Sequence, residues 1–126
     1  MPSLSLFRHD DDLLSVPSGE AIFEIDDPAD CMYVVAEGAL EIRIGDTMLE
    51  RVETGGIVGE MAVVERLPRS ATAIAVEDSK LAKIDQKRFL YLVQNHPFFA
   101  VEVMQVLANR LRKMDAELKN GVQRTG

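Results

Sequence analysis

The chain changes its hydrophobic rhythm once. Over residues 13–84 the apolar runs are short, β-branched and cut by turn residues. Ala21-Ile22-Phe23 stops at Asp26-Asp27-Pro28, and Met32-Tyr33-Val34-Val35 stops at Glu37-Gly38. Leu40-Glu41-Ile42-Arg43-Ile44 alternates with period two up to Gly45-Asp46, whose position predicts a tight hairpin. Residues 48–52 alternate more weakly into Thr54-Gly55-Gly56, and 71–76 and 81–84 close the series around Glu77-Asp78-Ser79. Short strands with turn signals about every 8–12 residues predict an antiparallel sandwich or roll rather than alternating β-α units. From Asp85 the period becomes helical. Asp85 caps a first helix carrying Phe89, Leu92 and Val93 on one face. Asn95-His96-Pro97 ends it, because the residue before a proline avoids helical geometry and Pro97 suits the first turn of the next helix. The second helix carries Met104, Leu107, Leu111, Met114 and Leu118, a heptad stripe. Gly121 is expected to stop it and residues 122–126 to fray. The fold class is α+β: an antiparallel β-roll of the jelly-roll (double-stranded β-helix) kind over about residues 13–84, then C-terminal helices over about 85–119, in one domain covering 1–126.

Composition narrows the function. The 126 residues hold 14 Lys+Arg against 21 Asp+Glu, a formal charge of −7, which argues against direct binding to nucleic acid or an anionic membrane. No run approaches the length of a membrane span, and the N-terminus, reaching Asp10-Asp11-Asp12, lacks the pattern of a signal peptide. Cys31 is the one cysteine, expected to be a small buried hydrophobe, and a lone thiol without an export signal fits the cytoplasm. Two histidines, His9 and His96, are too few for a cupin-like metal enzyme, and they are expected to face solvent or cap helices. Asp10-Asp11-Asp12 is expected to be a solvated turn, and no metal or cofactor is assigned. Neither a Cys–His nucleophile pair nor a Gly-Lys-Ser/Thr phosphate loop is present, so the chain is not expected to be an enzyme.

The informative stretch is GGIVGEMAVVERLPRSAT, residues 55–72. Gly55, Gly56 and Gly59 permit close backbone approach. Glu60-Met61-Ala62-Val63 is expected to form one helical turn whose free N–H groups favour an anion. Arg69, placed by Pro68, suits a phosphate diester through paired charge-assisted hydrogen bonds, and Ser70-Ala71 adds a hydroxyl and further N–H donors. A carboxylate cannot hold a phosphate, so Glu60 must serve a neutral donor such as a sugar hydroxyl.

At these residues the chain resembles the cyclic nucleotide-binding domain family, which includes the catabolite activator-like bacterial regulators and the regulatory subunits of cyclic-AMP-dependent kinase. The family's phosphate-binding cassette is matched by Val58-Gly59-Glu60-Met61-Ala62 and Pro68-Arg69-Ser70-Ala71-Thr72, and its upstream pattern by Gly19-Glu20-Ala21-Ile22-Phe23, Asp27, Asp30, Tyr33, Val35 and Gly38. The chain departs from that pattern where Asp26 replaces a turn glycine, Gly56 an Asp and Val58 a Phe. The resemblance implies that Glu60 accepts from a ribose 2′-hydroxyl and that Arg69 pairs with the cyclic phosphate. It implies further that Gly59, Ser70 and Ala71 complete the cradle beside Met61 and Ala62, and that Leu111, Met114 and Asp115 lie in a helical lid over the base. The implied function is a stand-alone cytoplasmic receptor for cyclic AMP or cyclic GMP, with cyclic AMP ahead.

The helical stripe has two readings, packing on the chain's own roll or a parallel homodimer seam. With Met104 at position a, Arg110 falls at g and Asp115 at the following e, which sets opposite charges across a parallel pair. The competing function is therefore an interaction module that dimerises through residues 104–118 around a vestigial pocket, its effector protein unidentified. The bacterial regulators continue from this helix into a DNA-reading helix-turn-helix; here the sequence ends at Gly126, so direct transcriptional control is not expected.

Overall fold

A computed structural model of the chain describes residues 6, 7, 12–65 and 67–125, with side chains as far as Ala116. His9, Asp10, Asp11, the Leu118 side chain and Gly126 lie outside the described residues. Strands β1 (Leu14–Val16), β2 (Ala21–Phe23), β3 (Cys31–Glu37), β4 (Ala39–Ile44), β5 (Thr47–Glu53) and β6 (Ile57–Val58) lead into a single turn, α1 (Met61–Val64). Then come β7 (Thr72–Ala75), β8 (Ser79–Asp85), α2 (Gln86–Asn95) and α3 (Pro97–Thr125). The strands form two antiparallel four-stranded sheets, ordered β1-β8-β3-β6 and β2-β7-β4-β5. The expected roll with C-terminal helices is the fold found.

The first sheet is the middle of three layers, which explains why Met32-Tyr33-Val34-Val35 is apolar without alternating. Successive side chains of a strand point to opposite faces. Cys31, Tyr33 and Val35 join Leu40, Val52, Val58 and Leu81 between the sheets. Met32 and Val34 face the other way and pack with Ile57, Ala82, Ile84, Leu92, Phe99 and Val103 beneath the helices. Phe99 anchors that second cluster, meeting Phe7 and Phe89 edge-on at 5.8 and 5.9 Å between ring centres.

Local chemistry sets the joints. Ile44 pairs with Thr47 across Gly45-Asp46, with Gly45 at φ +58°. Asp85 ends β8 and caps α2, its Oδ1 accepting from the Arg88 N–H at 2.8 Å. Asn95 closes α2, His96 is exposed, and Pro97 opens α3. Asp26, in the turn where the family has glycine, takes a left-handed φ of +72°, a conformation that Asp tolerates better than most residues.

One expectation on α3 needs correction, and the structure bears on a second. The helix runs through Gly121 to Thr125. A single interior glycine costs only about 1 kcal/mol relative to alanine, too little to end a helix that nothing else terminates. The heptad stripe also divides: Leu107 packs against the core, while Met104, Leu111 and Met114 are 58%, 62% and 58% exposed.

Gly38, between β3 and β4, sits at φ +99°, and a Cβ there would lie 2.8 Å from both the Asp78 carbonyl oxygen and the Ser79 Cα. Gly38→Ala is therefore expected to destabilise the fold by about 2 kcal/mol or more in urea denaturation, since backbone on both sides of the contact would have to move.

Candidate ligand-binding site

The stretch between β6 and β7 folds around Arg69. Its backbone is clamped on the Asp26-Asp27 turn: Asp26 N–H donates to the Arg69 carbonyl at 2.8 Å, and Arg69 N–H donates to the Asp27 carbonyl at 2.9 Å. Thr72 holds the same turn through Oγ1, which accepts from Ile25 N–H at 3.0 Å. So tethered, the Arg69 side chain turns inward and is 6% exposed. Nη2 donates to the Cys31 carbonyl at 2.8 Å and touches Cys31 Sγ at 3.6 Å, and Nη1 donates to the Gly59 carbonyl at 3.4 Å. The guanidinium lies over the Phe23 ring at 4.1 Å and near that of Tyr33 at 6.0 Å. Its Nε is buried with no hydrogen-bond partner. Among the described residues no carboxylate pairs with it.

Glu60 is buried as well, at 4% exposure, but it is neutralised from a different direction. Arg110 of α3 donates through Nη1 to Glu60 Oε1, through Nη2 to the Ile57 carbonyl at 2.9 Å, and through Nε to Glu50 Oε2 at 3.0 Å. Burial by itself lowers the Arg110 pKa, but hydrogen bonding and charge attraction from Glu60, with Glu50 adding to both, outweigh it, so the group is raised and stays charged. Burial, reinforced by hydrogen bonding to Cys31, pushes the Tyr33 hydroxyl well above the usual tyrosine range, against a lowering pull from Arg69.

Glu60, Ala62, Arg69 and Ala71 are buried and Gly59 half-buried, with the Gly59 carbonyl accepting from both Arg69 Nη1 and Ala62 N–H, while Met61 and Ser70 are exposed. Gly59 sits at φ +73°, and a Cβ there would meet Arg69 Nη1 at 2.5 Å, so a larger residue would be strained and would push the guanidinium out of its place. Leu111, Met114 and Asp115 follow one another along an exposed part of α3. The turn α1 differs from expectation: Ala62 N–H and Val63 N–H already donate to the Gly59 and Glu60 carbonyls, at 3.1 and 3.2 Å, so those two donors are spent within the turn. Sequence reasoning missed Arg110 as the partner of Glu60, having placed it only at a heptad flank. It also missed Phe23, Cys31 and Tyr33 as the walls around Arg69; the one available signal was an aromatic, Phe23 or Tyr33, in each of two strands that pair with those flanking the cassette.

The family and the fold are those of known proteins. A family model described as cyclic nucleotide-binding domain matches residues 13–96. The Cyclic AMP receptor protein of Thermus thermophilus is 34% identical over 107 residues, covering 81% of this chain, which spans 50% of that protein's length. The crystal structure of the Thermus thermophilus Catabolite Activator Protein superposes with a TM-score of 0.78 at 30% identity, covering 94% of this chain and 58% of that one. A structure from a cyclic-GMP-dependent signalling pathway that regulates bacterial phytopathogenesis superposes with a TM-score of 0.74 at 25% identity, covering 89% of this chain and 93% of that one.

Removing Arg110 strands a buried carboxylate. Arg110→Met is expected to cost about 2 kcal/mol, below the full buried-pair penalty because Arg110 is partly exposed, and adding Glu60→Gln should recover much of it. A double-mutant cycle in urea with no coupling between the two would contradict the pairing. Tyr33 gives a pH signature. Its folded pKa lies above the unfolded value of about 10, so the unfolded chain ionises first and stability falls as pH rises past that value. Tyr33→Phe should flatten this alkaline slope in melting curves taken between neutral and strongly basic pH.

Proposed function

This chain belongs to the cyclic nucleotide-binding domain family, and from that premise we propose that it is a cytoplasmic receptor that reversibly binds a 3′,5′-cyclic purine nucleotide, cyclic AMP ahead of cyclic GMP. The observation that carries the proposal is the buried guanidinium of Arg69, with an unpartnered Nε and, among the described residues, no carboxylate paired with it. Burying a charge without a counter-charge is costly, and a cyclic phosphate supplies the missing one. The ligand's ribose hydroxyl donates to Glu60, whose charge Arg110 already balances, so the sugar meets a carboxylate that does not repel the phosphate. Binding involves no bond making or breaking, and the chain is not an enzyme in this reading. Ser70 keeps a hydroxyl at the position where the family's threonine accompanies cyclic GMP, which leaves the base preference to a direct comparison of both nucleotides. A charge of −7 favours an effector other than nucleic acid, and the buried thiol of Cys31 is consistent with a reducing cytoplasm. Among the described residues no helix is long and apolar enough to cross a membrane.

A second reading rests on the outer face of α3, where Met104, Leu111 and Met114 are each more than half exposed. A second copy of the chain, packed in parallel along residues 104–118, would cover them, with or without nucleotide in the pocket.

One titration tests both. Saturation at 100 times the Kd stabilises by about 2.7 kcal/mol, so cyclic AMP should raise the Tm by several degrees, and cyclic GMP less. Arg69→Ala should abolish that shift while changing the unliganded melt little, because the arginine gives up a buried, unpaired charge. A flat Tm with both nucleotides, together with a dimer by light scattering, would replace the receptor by the dimerisation module.

A further inference from the structure

Arg110 marks the point where α3 leaves the core. Before it, Phe99, Val103, Val106 and Leu107 pack beneath the helix. After it, residues 111–116 are all exposed. At this changeover Arg110 reaches three separate segments at once: Glu50 on β5, the Ile57 carbonyl on β6 and Glu60 at the cassette. Lys113, one turn further, stands 3.8 Å from Glu50 Oε1.

Glu50 occupies an uncommon place for a carboxylate. It lies two residues before the buried Val52, hence on the same face of β5, and opposite Ile42, which packs into the core between the sheets. β5 is an edge of its sheet. Just before Glu50 the register slips: Ile42 pairs with Glu50 but Arg43 pairs with Met48, leaving Leu49 as an extra residue. Such bulges bend a strand and re-aim the neighbouring side chain. The Glu50 and Arg110 side chains are 27% and 26% exposed, so their attraction is screened less than that of a surface pair.

We propose that Glu50 is a positioning residue that clamps α3 to the roll and sets how the helix lies beside the cassette before a ligand arrives. The clamp is a balanced set, with Glu50 and Glu60 facing Arg110 and Lys113. It deepens the receptor reading, because the clamped arginine is also the counter-ion of Glu60. When a sugar hydroxyl claims part of Glu60, Arg110 keeps Glu50 and the Ile57 carbonyl, and the helix stays fastened. Without Glu50, helix docking and ligand would compete for one carboxylate.

The test is hydrogen–deuterium exchange on the full chain without nucleotide, comparing wild type, Glu50→Gln and Glu50→Asp. Glu50→Gln should speed exchange over residues 104–113 by about tenfold, with Glu50→Asp between it and wild type. Amides of β3 and β8 should keep wild-type rates, as expected for local rather than global opening. Wild-type exchange in α3 of Glu50→Gln would overturn the proposal. So would helix and strands loosening together, since Glu50 would then serve general stability. The sample holds no nucleotide, so a chain that fails the thermal titration with both nucleotides can still display the clamp, and the two failures are separable.

Discussion

A guanidinium buried without a carboxylate is the constraint around which the rest is arranged. The chain has an excess of acidic groups, 21 against 14 basic, yet among the described residues none reaches Arg69. Asp26 and Asp27 are adjacent but meet it through their backbones only, and the Asp27 carboxylate is occupied by Glu24 N–H at 2.9 Å. Two carbonyls and two aromatic faces soften the burial of the cation without cancelling its charge. A residue held for stability alone would more economically be paired, because an unpaired charge in a low-dielectric interior is costly. The cradle is anchored in the core: Cys31 begins β3, whose two faces are packed by two different cores.

The two arginines divide the labour between the site's two kinds of polar group. Had Arg69 paired with Glu60, the site would be self-neutralised and indifferent to an anion. Arg110 prevents this by taking Glu60 from the far side, and it comes from the helix that follows the roll. The charge state of the pocket therefore depends on where that helix sits. Any ligand would shift that helix by no more than the difference in its affinity between one helix position and another.

Much of this was legible in the sequence, and the exceptions share a cause. Short apolar runs and turn residues located β2, β3, β4, β5, β7 and β8, the Gly45-Asp46 hairpin and the helix boundaries at Asp85 and Pro97, because each depends on a few neighbouring residues, whereas β1 and β6 are too short to show a period. The cassette motif brought Glu60 and Arg69 forward as a pair, but their orientations depend on long-range partners: Cys31 lies 38 residues from Arg69, and Arg110 lies 50 from Glu60. No local pattern encodes such pairings. The heptad stripe left two readings open for a related reason. Leu107 fits the stripe and the core-facing surface of the helix equally well, and only packing assigns it to the roll. Gly121 misled because a glycine stops a helix only when the chain also turns left-handed there.

The unbroken course of α3 gives the Arg110 junction its leverage. From residue 110 to Thr125 the helix rises about 1.5 Å per residue, an arm of roughly 22 Å. A change of tilt by about 10° at the junction would move the far end by about 4 Å. The residues on the near part of this arm are exposed, among them Leu111 and Met114, so core packing does not resist such a tilt. What does resist it is the set of three bonds that Arg110 makes to β5, β6 and the cassette. Two of those bonds, to Glu50 and to the Ile57 carbonyl, do not involve the cassette, so a ligand engaging Glu60 would weaken the restraint on the arm without releasing it.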